Sequence, residues 1–390
     1  MNNEKVISKG LLERIGIDGS RLKHKRNNEE FVINKDVKNH KEGLEMIVKT
    51  LTDEESGVIK NLSEIDAVGH RVVHGGERFA SSVKINDEVI EEIQANAFLA
   101  PLHNPPIIQG IRAAIELLPD VTQVGVFDTA FHQTMPAQSF IYALPYEYYE
   151  KFRIRRYGFH GTSHRYVAQR MAELLDIDIN KSKLITVHVG NGASIAAVKN
   201  GKSFDTSMGL TPLEGLVMGT RSGDIDPAIV TFLQEQLDLS PEEVNTVLNK
   251  KSGMLGLTHG KFSDMREIEE KAMENEEICK LAHDIYEYRI AKYIGAYAAA
   301  MNGVDAIAFT AGVGENSPYL RANVVNKYLG YLGAKLDEQE NNCRACEKII
   351  TTSDSSVKVL IIPTNEELVI ARDTKAIVEM GVDEISATIT

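Results

Sequence analysis

Short runs of Val and Ile alternate along the chain with longer segments in which apolar residues recur at helical spacing. This alternation predicts an α/β fold in which strands are connected by helices. The apolar runs are 67–73, 121–127, 184–189, 306–310 and 357–362. Each run ends in small or polar residues, and ligands of open α/β sheets bind just beyond the carboxyl ends of strands. We therefore expect these ends to line one cleft.

Several further segments have recognisable patterns. Residues 5–15 resemble a short strand, and the polar stretch 18–41 is predicted to be a turn or a mobile hairpin. Apolar residues recur near helical spacing among Glu and Lys across 266–297, which predicts a long helical stretch. Two strand-like runs flank Asn200 and Gly201, a dipeptide that suits a type I′ turn. The second half of the chain should therefore contain a β-hairpin.

Length and charge narrow the class of protein. At 390 residues the chain exceeds what one hydrophobic core usually organises, so we expect two domains. A formal net charge of −13 argues against a general nucleic-acid surface, because phosphate backbones are bound by clustered Lys and Arg. No run approaches the roughly 18 apolar residues of a membrane span, and the first ten residues lack the apolar stretch of a secretory signal. We expect a cytoplasmic protein that contacts neither nucleic acid nor membrane.

Three cysteines, Cys279, Cys343 and Cys346, are too few and too unevenly spaced for a disulfide framework in a chain of this length. Cys343 and Cys346 have the spacing of a zinc or redox motif, but the sequence offers no second ligand pair. We expect this pair to be structurally incidental.

Two glycine-rich segments that follow predicted strands are candidates for phosphate binding. They are 190–194 (GNGAS) and 311–316 (AGVGEN), and glycine lets backbone N–H groups approach an anion closely. An ordinary tight turn is the alternative for each. The sequence at 201–203 (GKS) resembles the end of a P-loop, but Ala196 stands where that motif needs glycine. We favour the hairpin there.

Two arginines lie in unusual surroundings. Arg71 interrupts an apolar strand just before a pair of glycines, and Arg221 lies in the glycine-containing segment MGTRSGD. An arginine at such a position is suited to bidentate binding of carboxylate or phosphate. The alternative for each is an internal ion pair.

Asp128 and two histidines complete the candidate chemistry. Asp128 follows a predicted strand, where a carboxylate can orient a reacting group or a metal-bound water; an N-cap for the next helix is the alternative. His160 and His164 have the i, i+4 spacing of metal ligands, but no acidic third ligand is near them in sequence. We therefore expect His160 to contact an anion and His164 to be structural.

Taken together, the motifs resemble those of the acetate kinase family in order and spacing. They are GHRVVHGGE, APLHNP, FDTAFH, YGFHGTSH, GNGAS, MGTRSGDIDP, FTAGVGEN and PTNEE. The resemblance implies a two-domain actin-like, ribonuclease-H-like ATPase fold with an interdomain active-site cleft, and a homodimer. It implies domains at 1–130 with 368–390 and at 131–367. The implied reaction is reversible transfer of the ATP γ-phosphoryl group to acetate. Propionate or butyrate kinase activity, or an actin-like nucleotide-binding protein, are the alternatives.

The resemblance also implies roles for individual residues. Those implied to be catalytic are Asp128, Arg71, Arg221 and His160. Those implied to bind the substrate are Arg71, Val73, Leu102, Phe159 and Pro212. Those implied to bind nucleotide are His188, Gly190, Asn191, Gly192, Asp264, Met265, Arg266, Gly312, Gly314 and Asn316. Glu366 matches the glutamate associated with Mg²⁺, with Mn²⁺ as an alternative metal.

The sequence departs from the family at its start. Family members begin with a strand that ends in Asn-Ala-Gly-Ser-Ser-Ser, and nothing of that kind precedes Lys9. A late start codon, a lost 5′ segment or a degenerate copy would each explain the difference. We expect the first strands of the N-terminal domain to be lacking, turnover to be slow, and restoration of the segment to raise acyl phosphate formation.

Overall fold

The structure is a computed structural model that describes residues 4–27, 29–100 and 103–389. The strands are β1 (Lys9–Glu13), β2 (Arg21–Arg26), β3 (Glu29–Asn34), β4 (Ala67–Val72), β5 (Ser81–Lys84), β6 (Thr122–Phe127), β7 (Lys183–Val189), β8 (Ala193–Lys199), β9 (Lys202–Thr206), β10 (Ala306–Thr310), β11 (Lys348–Ile349), β12 (Lys358–Ile361) and β13 (Glu384–Ser386). The helices are α1 (His40–Leu51), α2 (Asp87–Ala95), α3 (Asn104–Leu117), α4 (Ala137–Phe140), α5 (Tyr146–Phe152), α6 (Gly161–Leu175), α7 (Ala228–Leu237), α8 (Pro241–Lys250), α9 (Gly253–Leu257), α10 (Met265–Met273), α11 (Glu277–Ala300), α12 (Ala311–Asn316), α13 (Pro318–Tyr328), α14 (Glu338–Asn341) and α15 (Glu366–Met380). Among the described residues, no helix combines the length and the apolar character needed to cross a bilayer.

The described residues form two units. Unit 1 contains residues 4–130 and 367–387, apart from the gaps given above, and unit 2 contains residues 131–366 and 388–389. Unit 1 has a sheet with the strand order β13-β5-β6-β4, in which β4 and β6 are parallel. A second, antiparallel sheet in this unit has the order β1-β2-β3. The predicted hairpin in 18–41 is therefore confirmed as β2 and β3.

Unit 2 is built on a sheet with the strand order β11-β12-β10-β7-β8-β9. Its central strands β12, β10 and β7 are parallel, and β7, β8 and β9 continue as an antiparallel meander. Every residue of β10 is buried, which is typical of a strand covered on both faces. Helix α6 packs against this sheet through Val167, Ala168 and Met171.

All five predicted apolar runs are strands, namely β4, β6, β7, β10 and β12. Strands β4 and β6 belong to the sheet of unit 1, and the other three belong to the sheet of unit 2. The predicted hairpin at 194–206 is confirmed by β8 and β9, whose connection places Asn200 and Gly201 at φ 53° and 74°. Positive φ at both positions is what a type I′ turn requires.

The predicted helical stretch 266–297 is interrupted in the structure. Helix α10 ends at Met273 and α11 begins at Glu277. Asn275 between them adopts φ 70°, a left-handed conformation that ends a helix. Apolar spacing continues across this break, so periodicity alone did not reveal it.

The expectation that Cys343 and Cys346 are incidental was wrong. The structure joins them in a disulfide, with their Cα atoms 6.3 Å apart. This distance lies within the usual range for a disulfide. The cross-link closes a short loop between α14 and β11.

Candidate active site

Arg71 and Asp128 form a bidentate ion pair where β4 and β6 of unit 1 end. Arg71 Nε donates to Asp128 Oδ1 at 3.1 Å, and Nη2 donates to Oδ2 at 2.6 Å. The Asp128 side chain is 1% exposed, whereas that of Arg71 is 47% exposed. A buried carboxylate that engages one edge of a planar guanidinium fixes its orientation. Arg71 therefore does form an internal ion pair, and its partner is another candidate catalytic residue.

The backbone after β4 lies tightly against the same sheet. A Cβ atom on Gly75 would lie 2.7 Å from Cδ1 of Phe127, so this position requires glycine. Val73, a predicted substrate contact, is 8% exposed beside this close approach. Leu102, another predicted substrate contact, lies outside the described residues.

In unit 2, β7 and β8 are joined by Gly190, Asn191 and Gly192, which we call the glycine turn. The Gly190 N–H donates to the Gly192 carbonyl at 3.1 Å, and the Gly219 N–H donates to the Asn191 carbonyl at 3.0 Å. A Cβ atom on Gly192 would lie 3.7 Å from the His160 ring and 3.8 Å from Arg221 Nη1. The fold thus brings four predicted site residues, Arg221, His160, Asn191 and Gly192, to one point.

Arg221 is held by neutral groups. Its Nη1 donates to the Pro212 carbonyl at 2.9 Å and lies 3.5 Å from the Met218 sulfur. Over the described ranges, no ion pair to a carboxylate is formed by this arginine. Burial lowers the pKa of Arg221, but a guanidinium remains protonated at any working pH. The contact also places Pro212, a predicted substrate residue, beside Arg221.

His160 is positioned by a network of buried side chains. Its Nδ1 lies 2.8 Å from Ser194 Oγ, and the same hydroxyl lies 2.8 Å from His164 Nε2. His164 Nδ1 in turn lies 2.6 Å from Thr186 Oγ1. Burial lowers the pKa of His164, so this ring is neutral. The His160 ring also stacks on His188 with centroids 4.1 Å apart.

The backbone around His160 is supported from a second direction. His132 Nε2 lies 3.0 Å from the Phe159 carbonyl, and its Nδ1 lies 2.8 Å from Ser203 Oγ. Burial lowers the pKa of His132 to about 4. A carbonyl can only accept, so neutral His132 carries its proton on Nε2. Phe159, a predicted substrate contact, is itself 2% exposed.

A cavity of about 600 Å³ in unit 2 brings most of the predicted nucleotide residues together; we call it the unit 2 cavity. Predicted residues in its lining are Gly190, Asn191, Asp264, Met265, Arg266, Gly312 and Asn316. Nothing lies within 4 Å of a Cβ atom placed on Gly312, so the wall there is open. Asp264 caps α10 and forms an ion pair with Arg266 at 2.6 Å.

Three predicted nucleotide residues do not line this cavity, namely His188, Gly192 of the glycine turn, and Gly314. His188 lies beneath His160, as described above. A Cβ atom on Gly314 would lie 3.1 Å from Val189 Cγ2, so this glycine permits close packing of α12 on β7. Sequence reasoning also missed three lining residues, Ser263, Val313 and Arg344. Val313 lies within the AGVGEN motif and Ser263 directly precedes Asp264, whereas the only signal for Arg344 was its place between the two cysteines.

Glu366, the predicted metal residue, is the first residue of α15 and is half-buried. The preceding loop belongs to unit 2 and is fixed within it, because the Thr364 N–H donates to Glu315 Oε1 at 3.1 Å. Thr364 Oγ1 also lies 2.7 Å from Ser163 Oγ. The loop that ends at Glu366 is therefore held by residues of α6 and α12 of the same unit.

Comparison with known proteins places these features in a family. A sequence profile of the acetokinase family matches residues 1–372. The acetate kinase of Thermosipho africanus is 66% identical over 385 residues, which cover 99% of this chain and 95% of that protein. The crystal structure of Porphyromonas gingivalis acetate kinase matches with a TM-score of 0.91 and 50% identity, covering 96% of this chain and 94% of that one. The crystal structure of a propionate kinase from Francisella tularensis matches with a TM-score of 0.89 and 44% identity, covering 95% and 93%.

Proposed function

Because this chain belongs to the acetokinase family, we propose that it transfers the γ-phosphoryl group of ATP to acetate, reversibly forming acetyl phosphate and ADP. The observation that carries the proposal is the convergence of Arg221 and His160 on the glycine turn, beside the unit 2 cavity. Phosphoryl transfer depends mainly on alignment and on neutralising the charge of the transferring oxygens. A fixed guanidinium and an imidazole at a phosphate-binding turn supply both.

The nucleophile needs little activation. A carboxylate such as acetate is already ionised near neutral pH, so the reaction proceeds by direct in-line displacement without a strong general base. The difficulty is instead the approach of two anions, which permanently charged arginines reduce. Arg71 would contact the carboxylate and Arg221 the phosphoryl group. Asp128 then acts by fixing the orientation of the Arg71 guanidinium through their bidentate ion pair. It does not remove a proton.

The nucleotide would occupy the unit 2 cavity. We assign its phosphates to the glycine turn, where glycine leaves room for an anion to approach the backbone. Its adenosine would lie towards Asp264, Met265, Arg266 and Gly312. A volume of about 600 Å³ is within the range of small-molecule sites.

A divalent metal, Mg²⁺ or Mn²⁺, fits the side chains that are present. Across the described ranges, no group of three or more His, Cys, Asp and Glu side chains forms a dedicated metal cage. Mg²⁺ typically takes one or two carboxylates together with water and substrate phosphates, so a single carboxylate suffices. Glu366 would hold it. When bound, the metal supplies neutralisation of the ATP phosphate charge.

Propionate is the second candidate substrate, because a propionate kinase structure matches over 95% of this chain. A methylene changes discrimination by only about 1–3 kcal/mol, so the two acids are separated by pocket shape. The bulk of buried Val73 and Phe159 favours the smaller acid. Values of kcat/KM for acetate, propionate and butyrate measured side by side should fall in that order.

Family membership also leads us to propose a homodimer that works in the cytoplasm, with unit 1 and unit 2 as its two family domains. Light scattering on the purified chain tests the dimer. A monomeric mass at micromolar concentration would contradict it.

The experiment that tests the function traps acyl phosphate as a hydroxamate. The purified chain is incubated with ATP, Mg²⁺, acetate and hydroxylamine, with formate and glycerol replacing acetate in parallel. We expect hydroxamate to accumulate in proportion to enzyme with acetate only. ADP release without hydroxamate would show an ATPase instead and would contradict the proposal.

A further inference from the structure

We propose that Arg344 binds the nucleoside end of ATP, its guanidinium lying against the purine ring, and that the Cys343–Cys346 disulfide holds it in that position. This inference rests on the proposed function and adds a binding residue to it. Arg344 lines the unit 2 cavity although its loop lies outside every recognised motif. Within the described part of the chain, its exposed guanidinium forms neither an ion pair nor a hydrogen bond.

The loop that carries Arg344 is attached to α12. The Ala345 N–H donates to the Glu315 carbonyl at 3.0 Å. Buried Arg321 donates to the Gly314 carbonyl at 2.8 Å and to the Cys343 carbonyl at 2.8 Å. One fully buried guanidinium therefore joins the helix that lines the cavity to the disulfide loop, and the disulfide closes the loop on its other side.

The position of the loop along α12 indicates which part of the nucleotide it meets. The amino end of α12 adjoins the glycine turn, since a Cβ atom on Gly190 would lie 3.8 Å from the Gly312 nitrogen. Ala345 contacts the carbonyl of Glu315, which lies three residues after Gly312 and so about 4.5 Å further along at 1.5 Å per residue. Arg344 thus lies at the end of the cavity away from the turn to which we assign the phosphates.

The side chains at the Arg344 end of the unit 2 cavity favour a flat, uncharged ring as the ligand group. A guanidinium stacks on aromatic faces, and such contacts contribute measurably even at exposed sites. Arg321 already keeps one positive charge close by, and its pKa is lowered to about 10 by burial and, to a lesser degree, by Arg344. An uncharged aromatic ring can stack on the Arg344 guanidinium, and this contact does not depend on an anionic group at this end of the cavity.

The test measures ADP affinity by calorimetry in the absence of acetate, so it does not depend on turnover. We expect Arg344→Ala to raise the Kd for ADP about threefold to tenfold. Arg344→Lys keeps the positive charge but lacks the planar guanidinium group, so its Kd for ADP should resemble that of Arg344→Ala. Exposed Arg112 on α3 provides the control, Arg112→Ala, whose Kd should equal that of the wild type. An unchanged Kd for Arg344→Ala would overturn the assignment, whatever the hydroxamate assay shows.

A second ligand separates the base from the phosphates. Inorganic tripolyphosphate carries the charge of ATP without its base, so its Kd should be the same for the wild type and Arg344→Ala. A parallel loss of tripolyphosphate affinity would show that Arg344 binds phosphate and would overturn the nucleoside assignment.

The disulfide is tested by reduction. A dithiol such as dithiothreitol gives two electrons and two protons to the Cys343–Cys346 bond, which yields two thiols while the dithiol closes to its own disulfide. We expect the Kd of the reduced wild type for ADP to move towards that of Arg344→Ala. The variant C343S/C346S should show the weaker Kd with and without dithiol. An identical Kd before and after complete reduction, verified by thiol titration, would overturn the role of the cross-link.

Discussion

At the scale of single residues, the two candidate arginines, one in each unit, are held in different ways. Arg71 is clamped by the buried Asp128 carboxylate, whereas Arg221 is positioned by a backbone carbonyl and a thioether. Sequence alone selected all three residues as candidates, because Arg71 and Asp128 are charges at the ends of apolar strands and Arg221 lies in a glycine-containing segment. It left open whether Asp128 orients a reacting group or a metal-bound water or caps a helix, and whether Arg71 forms an internal ion pair, since the pairing of these two residues depends on the register of β4 beside β6.

We predict that Asp128→Asn lowers kcat about tenfold to a hundredfold and raises the KM for acetate, because the amide no longer fixes the Arg71 guanidinium. The KM for ATP should change little. Initial rates at varied acetate and varied ATP check this split. Glu92→Gln is the matched control, since Glu92 pairs with Arg78 in an exposed ion pair of the same unit. An unchanged KM for acetate in Asp128→Asn would show that the pair is only structural.

At the scale of elements, local turn chemistry was predictable and longer-range packing was not. The Asn200-Gly201 hairpin follows from the conformational preferences of two adjacent residues. The break between α10 and α11 depends on one left-handed Asn275 within a continuous apolar pattern. The disulfide joins cysteines only three residues apart, and the loop between them has Ala345 at φ 45° and is held by Arg321 of α13, which donates to the Cys343 carbonyl. Candidate residues in contiguous motifs were therefore found, and Arg344 was not.

We predict that Gly219→Ala distorts the glycine turn. Its Cβ atom would lie 2.1 Å from Asn191 Oδ1, so Asn191 has to move from its place in the lining of the unit 2 cavity. The expected result is a rise of tenfold or more in the KM for ATP, together with a lower thermal midpoint of unfolding.

Gly312→Ala provides the comparison for that variant. No atom lies within 4 Å of its new Cβ, and alanine is favoured over glycine within a helix, so the thermal midpoint should not fall. If Gly312→Ala weakens ATP binding, the cause is then the new methyl group, which occupies space that ATP needs in the unit 2 cavity. A normal KM for ATP in Gly219→Ala would contradict the role of the turn.

At the scale of the whole molecule, the matches to solved kinase structures confirm the α/β fold class of the actin-like ATPases that the motif resemblance implied. The motifs are spread over both units, so their order along the chain carried more information than any one of them. Stability, by contrast, depends on burial that no motif reports. His132 and His164 are both buried in unit 2 with lowered pKa values.

We predict that unfolding becomes easier as pH falls from about 6.5 towards 4. The unfolded chain binds protons at histidines below about pH 6.5, whereas folded His132 and His164 do not, so stability is lost over this window. Asp205 acts in the opposite sense, because burial raises its pKa to about 6 and it gains a proton in the folded state first. Two histidines outweigh one carboxyl group, and we expect a net loss of stability between pH 7 and pH 5.

Urea unfolding at pH 7 and pH 5 checks this expectation. His132→Asn should be less stable at pH 7 but should lose less on acidification, since one of the two buried imidazoles is gone. Equal wild-type stability at the two pH values would contradict the proposed neutral state of the histidine network.

The most direct measurement of the central claim is the rate of acetyl phosphate formation by Arg221→Ala, compared with its affinity for ATP. If Arg221 stabilises the transferring phosphoryl group, kcat should fall by about a hundredfold to a thousandfold while the Kd for ATP stays within about threefold of the wild type. Turnover at the wild-type rate, or equal losses in rate and in ATP affinity, would contradict the account.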